Sequence, residues 1–301
     1  MAALTLAVAA GAEQVTFPGR PGLIVASYYG RGVPGLILIS PNGKGRRRVP
    51  GSRRDADAAF SPDGRMLAFT RTRVRIDRQG QSLVSSVWVM RLDGNGVRRI
   101  IDDASAPAWS PDGQTIVFER DACRTETCHL RVSNSYEIYV TTLSGRVRRL
   151  TYNGDFDGDP SFSPDGSEIA FVAGDGLYVM NGDGTGRRRL TKEGYGDPSW
   201  SPDGASIAFS GPTLDISVIG RDGRGLRRLT DNEGPDWGPV FSPDGRRIAF
   251  QSNALCARRM SCTGETPMAI WVMNANGSGK HRLTNRTGYA LTDWQRIPGT
   301  G

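Results

Sequence analysis

Histidine is almost absent from this chain: His129 and His281 are the only two in 301 residues. A serine or cysteine nucleophile needs a base that titrates near neutrality, and neither histidine adjoins a recognisable nucleophile. His281 stands where sister segments carry Arg, and His129 follows Cys128 in a polar stretch. The Gly-x-Ser-x-Gly elbow of the α/β-hydrolases does not occur. Long hydrophobic runs are missing as well. The one uncharged apolar stretch, residues 1–12, is too short to span a bilayer, so a membrane helix is not expected. It is rich in small residues and ends in Ala10-Gly11-Ala12, which suits signal-peptidase cleavage, although it has no basic leader. Residues 1–19 are read as a signal peptide or tail, and the protein as extracytoplasmic, periplasmic or secreted. Cysteine is scarce too. The four form two local pairs, Cys123 with Cys128 and Cys256 with Cys262, each inside a polar insertion. Such pairs favour disulfides and an oxidising compartment; a four-thiolate zinc site is the alternative.

What the chain does have is turns. Glycine occurs 39 times and proline 18 times, which fits many short strands better than helices. The pentapeptide [Trp/Phe]-Ser-Pro-Asp-Gly appears five times, beginning at Phe60, Trp109, Phe162, Trp200 and Phe241. Spacings of 38 to 53 residues between copies mark an array of small supersecondary units. In the shortest copy, residues 198–201 read as a strand and Ser-Pro-Asp-Gly as a turn. Residues 206–210, 215–219 and 226–230 supply three further strands, the last two joined by Asp222-Gly223. Four antiparallel strands per repeat make a propeller blade, and the fold class is all-β. Trp88, Tyr139, Tyr178 and Trp271 recur in third strands and are expected in the packing between blades.

The ends of the chain predict how the ring closes. Residues 23–28, 36–40 and 46–49 match the second, third and fourth strands of a blade without a first, and residues 289–298 match a first strand with nothing after it. Together they complete one blade, which gives a six-bladed β-propeller over residues 20–301 and removes the open edge at the seam. The other blades begin near Asp57, Ala106, Asp159, Asp197 and Gly238. The cysteine pairs then fall in the third and sixth blades, on opposite sides of the ring, which favours two local disulfides over a shared zinc.

The Ser-Pro-Asp-Gly turn, the Ile-Ala-Phe strand (residues 169–171, 207–209 and 248–250), the Met-Asn-x-[Asp/Asn]-Gly turn and the Arg-Arg-Leu-Thr strand resemble TolB-like propeller repeats. The resemblance extends from the first blade to the end of the chain. It implies a propeller whose blades have the first strand innermost. In that family TolB itself is a periplasmic component of the Tol-Pal system whose channel mouth binds protein partners. Related repeats also precede peptidase domains.

On this topology one face of the ring, here called X, carries the starts of the first strands and the links between second and third strands. The Ser-Pro-Asp-Gly turns lie on the other face, Y. The insertions 70–86, 119–137 and 251–269 all belong to X. So do Asp57, Asp159, Asp197 and, slightly earlier, Asp236, which are expected to surround the channel mouth as an acidic funnel. Around it lie insertion loops carrying Arg71, Arg73, Arg75, Arg124, Arg131, Arg258 and Arg259. Partner contact is assigned to Asp57, Asp159, Asp197, Asp236, Arg73, Arg124 and Arg258. Against this stands the ordinary use of Asp to cap turns and of loops to accept insertions.

A formal charge of +7 invites a nucleic-acid reading, but the Arg pairs occupy one register at the start of each fourth strand. Spread around a circumference they block strand edges rather than line a groove, so no nucleic-acid binding is expected. Residues 155–159, Asp-Phe-Asp-Gly-Asp, miss the spacing of a calcium loop, and no metal or cofactor is assigned. The chain reads as an exported, monomeric, non-catalytic propeller that docks an envelope protein or peptide at its channel mouth. A lyase or hydrolase acting on a polysaccharide or small molecule within the channel is the alternative.

Overall fold

The computed structural model describes the chain except residues 1–19, 30–33, 78–79, 123–134, 175, 194–195, 232–233, 254–267, 286–287 and 298–301. Six sheets of four antiparallel strands form the fold. In the first blade Tyr289–Ile297 pairs with Arg20–Tyr28, followed by Gly35–Ile39 and Arg46–Arg48. The last strand of the chain therefore closes the ring, as the two incomplete ends require. The other inner strands are Asp55–Phe60, Ala104–Trp109, Asp157–Phe162, Gly196–Trp200 and Asp236–Phe241. The expected signal peptide, all four cysteines, both proposed disulfides and His129 lie outside the described residues.

Each repeated motif has a specific bonding task. In Ser61-Pro62-Asp63-Gly64 the Ser61 hydroxyl donates to Asp63 and accepts from Met66 N–H, while Asp63 also accepts from Arg65 N–H. The same pattern recurs at Ser110, Ser163, Ser201 and Ser242, and the turn glycine has φ of 69° to 71° in all five copies. That left-handed geometry is why glycine follows Asp. The Thr of Arg-Arg-Leu-Thr caps the start of the third strand: Thr151, Thr191, Thr230 and Thr284 accept from the backbone N–H of Ile138, Leu177, Ile216 and Ile270. In three blades the first Arg of the pair reaches the next blade, where Arg98, Arg148 and Arg188 donate to the carbonyls of Leu143, Asp183 and Arg221. The basic ring is thus largely structural.

The core lies between blades. Each cluster of buried apolar side chains draws on two neighbouring sheets, as when Val25 and Leu38 of the first blade pack with Leu67, Phe69 and Met90 of the second. Phe69, Phe118, Phe171, Phe209 and Phe250, the aromatic ends of the second-strand motif, are among the largest fully buried side chains. The third-strand aromatics were expected in the same packing. They border these clusters, but they are only half-buried, because their outer faces carry guanidinium groups: Arg73 lies over Trp88, Arg149 over Tyr139 and Arg187 over Tyr178.

One insertion differs from the expectation of a loop. Residues 70–86 continue the second and third strands of blade 2 into a ribbon, Met66–Asp77 against Gly80–Arg91, paired out to Asp77 and Gly80. Alternating β-branched residues at Thr72, Val74 and Ile76 favour this extension over an irregular loop. Arg71, expected on the loop rim, instead forms a two-pronged ion pair with buried Asp55 at 2.7 Å on both oxygens.

The seam is testable. Trp294 is 4% exposed, packs with Ile24 and Ile39 as well as Ala249 and Ile270, and donates its indole N–H to Gly22 O at 3.2 Å. Trp294→Ala is expected to cost about 3–5 kcal/mol in urea denaturation, because it empties the site where first and last strands meet.

Candidate functional site

The inner strands line the channel, and each carries a bulge at the same register. Asp57, Ala106, Asp159, Asp197 and Gly238 occupy it with φ of 46° to 56°, and the ladder to the second strand slips there in every one of these blades. Asp is among the few non-glycine residues that tolerate the left-handed region, so three of the five being Asp is locally reasonable. The bulge breaks the ladder, and its N–H must find a partner elsewhere.

That partner comes from the preceding blade, from the residue after the second-strand Phe. Thr70 accepts from Ala106 N–H, Glu119 from Asp159 N–H and Ser210 from Gly238 N–H. Between blades 4 and 5 this residue is Val172, which has no polar atom, and the carboxylate of Asp159 itself accepts from Asp197 N–H at 3.3 Å. The Asp197 carboxylate lies beside the same Gly238 N–H, and that of Asp57 beside Ala106 N–H and the Thr70 hydroxyl. At the seam Asp293 accepts from Phe60 N–H at 2.7 Å. Carboxylates therefore clip three junctions, blades 3 to 4, 4 to 5 and 1 to 2, and hydroxyls clip blades 2 to 3 and 5 to 6.

They enclose a cavity of about 280 Å³ toward face X, lined by Asp57, Asp159, Asp197 and Asp293 together with inner-strand Pro and Ala residues. A second cavity of about 200 Å³ continues toward face Y, ringed by Pro62, Pro111, Pro164, Pro202 and Pro243, with Arg296 in the sixth blade position. Asp57 and Asp197 are exposed to the solvent of the channel, yet its walls pack densely around them. That enclosure dominates their titration. Burial, then the negative charges of Asp159 and Asp57, push Asp197 up to about 8. Burial and the charge of Asp159 push Glu119 to about 7, and burial raises Asp159 and Asp293 each to about 6. Asp57 is raised by burial against the opposing pull of its two hydrogen bonds. By contrast Asp203, in a Y-face turn, is held low by its bonds from the Ser201 hydroxyl and Ala205 N–H. Among the described residues no three His, Cys, Asp or Glu side chains are grouped to hold a metal ion.

Of the residues expected at the mouth, Asp57, Asp159 and Asp197 are brought together. Asp236 is fully buried at the start of its strand, two residues before the bulge, at the register where Asp55 and Asp157 pair with Arg71 and Arg187. Arg73 stacks on Trp88 out on the ribbon, and Arg124 and Arg258 lie outside the described residues. Glu119 and Asp293 went unrecognised in the sequence. The signal for Glu119 was its register after Phe118, where a polar side chain can reach the next bulge. Two phenols stand nearby: burial and the charge of Asp57 raise Tyr29, and burial and the charge of Glu119 raise Tyr136.

In the unfolded chain these carboxyls titrate near their ordinary values, so between about pH 4 and pH 8 the folded chain binds more protons than the unfolded one. The stability this ring contributes is complete below that window and is lost as pH rises through the folded values. Asp197→Asn, which keeps an acceptor but cannot ionise, is expected to flatten the fall of the urea midpoint between pH 5 and pH 9 and to exceed the parent at the alkaline end. A parallel fall in both proteins would show that Asp197 is not the group responsible.

Comparison with known proteins agrees with this architecture. The family described as the TolB beta propeller domain matches residues 105–211. An uncharacterized peptidase, YuxL of Bacillus subtilis (strain 168), is 30% identical over 41% of this chain and 22% of its own length. The Tol-Pal system protein TolB of Anaeromyxobacter sp. (strain K) is 30% identical over 40% of this chain and 27% of its own. The chain thus spans only about a quarter of either relative. The crystal structure of TolB from Acinetobacter baumannii superposes with a TM-score of 0.68 at 19% identity, covering 91% of this chain and 66% of that one. The chain is a six-bladed β-propeller whose residues 105–211 are similar to the TolB beta propeller domain.

Proposed function

We propose that the chain is a non-catalytic recognition module of the cell envelope, exported from the cytoplasm, whose X mouth receives a cationic segment of a protein partner. The observation that carries this reading is the group of Asp57, Asp159 and Asp197 lining an open cavity, with Glu119 bonded to Asp159 N–H beside them and pKa values raised by enclosure and, for Asp197 and Glu119, by neighbouring negative charge. A guanidinium or ammonium group entering there would relieve the repulsion and release the protons it retains. Tyr29 and Tyr136, close to these carboxylates, add aromatic faces suited to a cation. The likeness to TolB, named as a Tol-Pal system protein, supports the envelope assignment.

One observation favours a second reading, a channel-active lyase or hydrolase. Glu119, held near 7, has the proton affinity that a general acid or base requires, and one relative is named as a peptidase.

The test is capture from an envelope extract with the propeller and with a variant carrying Asp57→Asn, Asp159→Asn and Asp197→Asn. Asn is chosen because these side chains lie beside backbone N–H groups of the next blade. A partner at the mouth is expected to lose at least about tenfold in affinity to the variant and to be weakened by salt. Undiminished recovery by a variant with an unchanged unfolding transition would remove the mouth as the site. Turnover of a glycan or peptide panel that is abolished by Glu119→Gln would favour the enzyme.

A further inference from the structure

The ribbon of blade 2 presents a surface that the channel mouth does not use. The inner strand of this blade stops pairing at Asp55 opposite Arg71, and the outer strand at Asp102 opposite Ser86. Beyond those points Thr72–Ile76 and Gln81–Ser85 pair, among the described residues, only with each other. A two-stranded ribbon has two outer edges with backbone donors and acceptors facing solvent. The edge formed by the outgoing strand carries Arg73 and Arg75, charges of the kind that discourage a further strand. The returning edge reads Gln81-Ser82-Leu83-Val84-Ser85, without charge, proline or glycine. It is the edge on which an additional strand can form.

The two faces of the ribbon differ. Val74 lies directly opposite Leu83, and Ile76 lies beside them on the same face; they are 47%, 73% and 74% exposed respectively. The hydroxyls of Thr72 and Ser85, 3.1 Å apart, close this face toward the blade. The other face carries Arg73 opposite Val84 and Arg75 opposite Ser82, so small or medium side chains separate the two cations from the free edge. A strand added along 81–85 would place every second residue beside Leu83 and the alternate residues over Ser82 and Val84, within reach of the guanidinium groups.

We infer that this edge takes an extended peptide segment of a partner protein in which acidic and apolar residues alternate. Charge selects the occupant. A second copy of the chain, itself at +7, would bring two cationic ribbon faces into one sheet, whereas an acidic-apolar strand satisfies both faces at once. The inference goes beyond the channel-mouth reading and does not depend on it.

The test uses fluorescence anisotropy with a labelled octapeptide of alternating Glu and Val. The controls are a Lys-Val alternate and a peptide of the same composition with its Glu residues in one block. The Glu-Val peptide is expected to bind, the two controls at least about tenfold more weakly. Leu83→Lys should abolish binding, and the double change Arg73→Glu with Arg75→Glu should invert the preference toward the Lys-Val peptide. That inversion separates recognition from a folding defect. The channel variant with three Asp→Asn changes should bind the peptide as the parent does. Binding insensitive to Leu83→Lys, absence of charge preference, failure of the inversion, or loss in the channel variant would overturn the inference. Sedimentation of the unliganded chain as a dimer that Leu83→Lys dissociates would also overturn it, in favour of self-pairing.

Discussion

The structure depends on a backbone N–H displaced from its sheet. At the inner strand of five blades the ladder slips, and in four of them the displaced amide donates to a side chain of the neighbouring blade. A buried donor left unmet costs on the order of 1–3 kcal/mol, so every junction has to supply an acceptor. Thr70, Glu119, Asp159 and Ser210 are four chemically different ways of doing so. The apolar packing between sheets supplies most of the adhesion, but it is non-directional. These bonds set how each blade stands relative to the next, and hence the shape of the channel.

The same solution creates the electrostatic tension at the mouth. A hydroxyl acceptor is neutral; a carboxylate brings a charge. Where blade 4 offers Val172, the load moves to Asp159, and the charges of Asp57, Glu119, Asp159 and Asp197 then fall within mutual range. Enclosure by the walls weakens their hydration, and the ring answers by retaining protons at pH values where isolated carboxylates have lost them. On the proposed reading, a cation entering this site would displace those protons, so binding would be linked to proton release. A purely structural clip made of Thr and Ser would have no such property, and Thr70 and Ser210 show that neutral clips are available to this fold.

Much of this was legible in the sequence because the repeat is strict. Ser, Asp and Gly of the turn are each required by a bond or a φ value, so the pentapeptide stands in five copies and marks five of the six blades. The sixth blade lacks the pentapeptide and was legible instead from the complementary strand patterns of the two ends. The channel Asp residues could be placed, since the first strand of each blade starts near them. Asp236 could not be separated from them, because a slip of two residues along a bulged strand moves a side chain from the channel to a buried position and leaves no mark in composition. Glu119 was hidden because its function follows from a register shared with Thr70 and Ser210, residues that look nothing like it.

The ribbon shows the opposite limit. Residues 70–86 lack the turn signals of the repeat, and polar residues interrupt the alternation, so the stretch reads as a loop. It is a ribbon because its two halves already enter side by side: the second and third strands of blade 2 are paired through Thr70 and Val87, and extending an existing ladder costs less than starting one. The tertiary context lets the β-branched residues Thr72, Val74 and Ile76 extend the ladder. The ribbon grows directly from the paired second and third strands of the blade. Its uncharged edge is already extended by the pairing of residues 81–85, so an added strand needs less backbone ordering than an irregular segment would.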